Sequence, residues 1–201
     1  MIMTVAAEII NLQLNFTMNQ SPSSPIIRKL MLSLARVYSS LGQHDIALAN
    51  CNKAIELEPS AKNYIYRVWF SKESSELALD DFNKAIELEP AAKNYIYRAN
   101  FYDWNGKSEL ALADYNKAIE VEPSVESYTY RSRFYKEHGK YEFALADLNK
   151  VIEIEPTAKS YLNRSDFYKD VQKNNELALA DLNKVIEIEP SADSYINVLV
   201  V

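Results

Sequence analysis

Few side chains in this sequence could do chemistry. Its two histidines are His44 and His138, and its one cysteine is Cys51. Both histidines fall between apolar helical stretches, where solvated turn residues are expected. No histidine stands in a nucleophile–base arrangement with Cys51, whose place in a periodic apolar pattern reads as a packed, reduced thiol. No Cys/His cluster has metal-ligand spacing, and the three glycines are isolated, so no phosphate-cradling loop is present. Paired carboxylates do occur, as Glu-x-Glu-Pro, but they recur at the end of every sequence unit. A recurring position of that kind is structural rather than a general acid and base. The expectation is a non-enzyme with no catalytic residue, no metal and no cofactor.

The totals narrow the partners. Formal charge is −6 and the pI about 5.1, which argues against a nucleic-acid binder, since such domains are usually basic. No run approaches 18 consecutive apolar residues, so no membrane span is expected. The N-terminal stretch is apolar but has no Lys or Arg before Arg28, unlike a secretory signal. With a single cysteine, this points to a cytoplasmic protein.

The elements that must position any working surface come from a repeat. Residues 52–59 read N-K-A-I-E-L-E-P and return, with small apolar swaps, at 83–90, 116–123, 149–156 and 183–190. The closing prolines Pro59, Pro90, Pro123, Pro156 and Pro190 stand 31, 33, 33 and 34 residues apart, a period that marks a stacked array. Within a unit the apolar spacing is three and four. In the fourth, Tyr128, Arg131, Ser132 and Tyr135 precede Gly139, and Ala144, Leu148 and Val151 follow it. Two amphipathic helices joined at a glycine are predicted, the second over roughly 141–154 and stopped by Pro156. The boundaries are 28–59, 60–90, 91–123, 124–156 and 157–190. Residues 1–27 form an extension or capping helix with a Ser/Pro break, and 191–201 a partial sixth unit or cap.

These residues resemble the tetratricopeptide repeat, whose W-x2-L-G-x2-Y…A-x3-F…P pattern is met here by Tyr128, Arg131, Ser132, Tyr135, Ala144, Leu148 and Pro156. The first unit fits as Met31, Leu34, Ala35, Tyr38, Ala47, Cys51 and Pro59. The second is weakest, with Ser71 at the Tyr position and a turn two residues short; the fifth has one extra turn residue. The resemblance implies an all-α solenoid of stacked antiparallel helix pairs in a right-handed superhelix.

Comparison between units exposes a covarying pair. Arg67, Arg98, Arg131 and Arg164 share one first-helix position. Asp81, Asp114, Asp147 and Asp181 lie three residues after the second-helix alanine. The first unit has Leu34 and Asn50 instead, so both partners are missing together. An ion pair between the two helices of each unit is expected, the Arg fork gripping the carboxylate.

The resemblance further implies that first helices line a groove for a peptide. The groove positions include Lys29, Arg36, Lys62, Tyr66, Trp69, Lys93, Tyr97, Asn100, Tyr130 and Arg133. Together the carried-over positions are cationic and aromatic on an acidic chain. The set lacks the pattern of the family's carboxylate clamp, because Ile65, Ile96 and the tyrosines fill several clamp slots. The leading expectation is an adaptor binding another protein's acidic, partly apolar segment. The alternatives are self-association through the apolar end (Ile196, Val198, Leu199, Val200, Val201) and a regulatory fragment of a larger protein.

Overall fold

A computed structural model describes residues 25–70 and 75–191. The expected N-terminal cap, the second unit's shortened turn with Ser71, and the apolar C-terminal edge lie outside the described residues. Among the described residues there are ten α-helices. They are α1 (Pro25–Ser40), α2 (His44–Leu57), α3 (Ala61–Val68), α4 (Ser75–Leu88), α5 (Ala92–Trp104), α6 (Ser108–Val121), α7 (Val125–Glu137), α8 (Tyr141–Ile154), α9 (Ala158–Phe167) and α10 (Asn175–Ile188). None is long and apolar enough to cross a membrane.

The chain divides within α5 into two compact units, one up to Arg98 and one from Ala99. In the first, α1, α2, α3 and α4 pack each on the next; in the second, α6 through α10 do the same. Small side chains permit this close approach. Ala47 and Ala54 on α2 are fully buried against Ile27, Met31, Leu34, Cys51 and Phe70. The later second helices repeat the arrangement, with buried Ala78 and Phe82, Ala111 and Tyr115, Ala144 and Leu148, and Ala178 and Leu182.

The boundaries have local causes. Gly139 turns the chain between α7 and α8 at φ 69°, a left-handed conformation that costs a glycine nothing. The fifth repeat has no glycine there. Its extra residue is absorbed in a π-helical segment, Tyr168–Gln172, after which Lys173 itself takes a left-handed φ of 52°. Second helices stop before proline, with Glu155 already extended at φ −143° and ψ 91°. The next helix is then capped by a hydroxyl: Ser60 accepts from the Asn63 amide, Ser124 from Ser127 and Thr157 from Ser160.

Candidate functional site

In the first unit the first helices of the second and third repeats begin with one heptapeptide, A-K-N-Y-I-Y-R, at 61–67 and 92–98. Helical spacing puts Lys62, Tyr66 and Trp69 on one face of α3 and its end, and Lys93 and Tyr97 on one face of α5. Together with Arg36 from α1 they line an open cavity of about 680 Å³, completed by Ile65, Phe70, Glu89, Ala91 and Asn94.

The polar contacts fix its character. Arg36 Nη2 donates to the Tyr66 hydroxyl at 3.1 Å. Lys93 Nζ lies 5.8 Å from the Tyr97 ring centre, and Trp69 meets the same ring edge-on at 6.4 Å. Trp69 is 65% exposed, far more than an aromatic needs for packing alone. Arg36, Lys62 and Lys93 outnumber the single carboxylate, Glu89. Among the described residues neither Arg36 nor Lys62 has a carboxylate partner. The cavity is therefore an aromatic wall edged by cations.

Six of the residues named from the sequence meet here: Arg36, Lys62, Tyr66, Trp69, Lys93 and Tyr97. Lys29 is exposed on α1 and does not line the cavity. The remaining three sit in the second unit and satisfy one another. Asn100 Oδ1 accepts from the Tyr115 hydroxyl at 2.7 Å and from Arg133 Nη2 at 3.1 Å. The Arg133 guanidinium lies 4.8 Å from the Tyr130 ring centre and 3.9 Å from Glu137. Sequence reasoning missed Asn94, which is buried and donates to the Glu89 carbonyl at 2.8 Å. The identical heptapeptides were the signal, since Asn63 donates to the Glu58 carbonyl at the same distance.

The arginines at the shared first-helix position form a system separate from the cavity. Arg67 grips Asp81 through Nε and Nη2 at 2.9 and 2.5 Å. Arg131 holds Asp147 at 2.9 and 2.7 Å, and Arg164 holds Asp181 at 2.8 and 2.7 Å. Hydrogen bonding to the carboxylate raises the pKa of all three guanidiniums. Asp81 is 1% exposed and Arg67 18%. The remaining arm, Nη1, donates to an asparagine of the preceding repeat: Arg67 to Asn52, Arg98 to Asn83, Arg131 to Asn116 and Arg164 to Asn149, each at 2.7 Å. Each guanidinium also lies 5.7–5.9 Å from a tyrosine ring centre, of Tyr64, Tyr95, Tyr128 and Tyr161. Asp114 is buried in the second unit. In the first repeat, Leu34 is buried and Asn50 turns to its own helix, donating to the Ile46 carbonyl at 2.8 Å.

The other chemistry-bearing side chains lie outside the cavity. Burial pushes the Cys51 thiol up to about 12. The histidines are not simply solvated turn residues. His44 Nδ1 is buried and meets no hydrogen-bond partner among the described residues. His138 stacks on Phe134 at 4.2 Å, with Nε2 3.3 Å from Asp103 and 3.0 Å from Ser108 Oγ. The first Glu of the Glu-x-Glu-Pro endings pairs with a lysine three residues earlier, as Lys84–Glu87, Lys117–Glu120, Lys150–Glu153 and Lys184–Glu187.

Comparison with known proteins decides the family of folds. A family model described as tetratricopeptide repeat matches residues 29–60. Among solved structures, YrrB, a TPR protein with an unusual peptide-binding site, is 23% identical over 94% of this chain and 98% of its own, with a TM-score of 0.56. A thermophilic TPR protein from Thermus thermophilus is 19% identical over 86% and 97%, with a TM-score of 0.59. The chain has the tetratricopeptide-repeat fold. A third structure of this fold, PilF of Pseudomonas aeruginosa, is 16% identical over 85% and 80%, with a TM-score of 0.61. No curated protein matches the chain. The arginine system described above joins helices within a repeat and ties a repeat to the one before it.

Proposed function

We propose that this protein is a non-enzymatic adaptor that binds an acidic, partly apolar peptide segment of another protein in the cavity of its first unit. The observation that carries this reading is the exposed Trp69 beside Tyr66 and Tyr97, edged by Arg36, Lys62 and Lys93. Tyr, Trp and Arg are the side chains that most often dominate binding energy at interfaces. Arg36 and Lys62, which meet no carboxylate among the described residues, favour carboxylates and repel basic segments. The structural likeness to a TPR protein with a peptide-binding site is consistent with it.

The test is capture from lysate of the source cells with the native chain and with a variant carrying Arg36→Glu, Lys62→Glu and Trp69→Ala. A partner held by the native chain and lost by the variant supports the reading. A partner held equally by both moves the working surface away from this cavity. Binding that weakens steeply between low and physiological salt is expected, because the cations are exposed.

A further inference from the structure

Lys62 and Trp69 line the cavity from different heights of one helix, and this constrains which acidic segments fit. On the proposed-function reading, which this inference rests on, the occupant is a peptide carrying carboxylate and apolar side chains. Lys62 and Trp69 lie on one helical face seven residues apart, about 10 Å along the axis at 1.5 Å per residue. A polyproline-II chain rises about 3.1 Å per residue and has three residues per turn, so side chains three apart lie on one side at about 9 Å. Neighbouring side chains in such a chain point in different directions and cannot reach both residues. In an α-helical ligand the same span needs side chains six or seven residues apart.

We infer that the cavity selects an extended segment in which an acidic residue and an aromatic residue are separated by two others. The carboxylate meets Lys62, and the aromatic ring packs on Trp69. Tyr66 and Tyr97 also line the cavity, and Arg36, tied to the Tyr66 hydroxyl, supplies a further cation. A central Pro-Pro favours binding, because it sets the extended conformation before contact and so reduces the ordering cost.

The experiment uses fluorescein-labelled peptides and anisotropy with the full chain. One peptide carries Glu-Pro-Pro-Phe between glycine-serine flanks, a second the same residues as Glu-Phe-Pro-Pro, and a third Gln-Pro-Pro-Ala. The first should bind about tenfold more tightly than the second, the cost of losing one anchor contact. The third should bind weakest. Trp69→Ala, an exposed position that leaves the core intact, should erase the preference for the first peptide over the second. Lys62→Glu, with its helix content checked by circular dichroism, should weaken the first peptide about tenfold or more. Equal affinity for the first two peptides overturns the spacing inference and leaves acidic-segment binding standing. Equal affinity for all three, or for none, overturns both. A native chain that binds no peptide but forms a dimer dissolved by Trp69→Ala puts a second copy in the cavity and also overturns both.

Discussion

Arg67, Arg131 and Arg164 are each bound on three sides, and that sets what the loss of one would cost. Arg131 meets Asp147, which is 5% exposed, through two hydrogen bonds. Arg131→Leu strands that carboxylate and should destabilise by about 3–5 kcal/mol, measured by urea unfolding. Adding Asp147→Asn reproduces the Leu34 and Asn50 combination of the first repeat and should recover most of the loss. A double variant no better than the single would assign the cost to packing of the arginine stem. Cys51 gives a pH prediction. Burial raises the folded thiol to about 12 from an ordinary 9.0, so above pH 9 the unfolded chain holds fewer protons than the folded one. Stability is full below pH 9 and falls between 9 and 12, by up to about 1.4 kcal/mol per pH unit. Tyr115 and Tyr135, also raised by burial, add to the decline. Cys51→Ala should flatten the curve from pH 9 upward; an unchanged slope would assign it to the tyrosines alone.

At the scale of elements, the turns separate good local chemistry from tolerated strain. Lys173 occupies the left-handed conformation that glycine fills in other repeats. Lys173→Gly should raise stability by about 0.5–1 kcal/mol, readable as a higher melting temperature. Gly139→Ala meets no steric clash but should lose a similar amount through backbone strain. The helices were legible because three-four apolar spacing, a turn glycine and a terminal proline all recur in register. The π-helical turn was not, since an inserted residue shows in the sequence as a count and not as a hydrogen-bond pattern. The cavity was half legible. Tyr66, Tyr97 and Tyr130 look equivalent, yet the residue three places on decides their fate. Trp69 stays exposed beside Tyr97, whereas Arg133 folds over Tyr130 and reaches Asn100. Where a long flexible side chain comes to rest depends on neighbours that spacing does not reveal. The asparagine arms are illegible for a different reason: Asn52, Asn83, Asn116 and Asn149 are neutral acceptors, so no matching of charge with charge points to them.

For the whole molecule, stability in a stacked array is held mainly between sequence neighbours. Leu148→Ala, which empties a buried site on α8, should cost about 2–5 kcal/mol. Hydrogen exchange should show lost protection in α7 through α10 while α1 and α2 keep theirs. Uniform loss along the chain would mean global cooperativity instead. The arginine–asparagine arms also give the chain a direction. Repeats two to four each carry an arginine that reaches back and an asparagine that receives from the repeat after it. Each is therefore a cassette with complementary edges, and duplicating one in tandem would present a matching donor and acceptor at both new junctions. The first repeat, with Leu34 in place of the arginine, lacks the rear-facing edge; copied downstream it would leave an asparagine unanswered. Lineages of this protein could thus grow or shrink by whole interior cassettes without mismatching a junction.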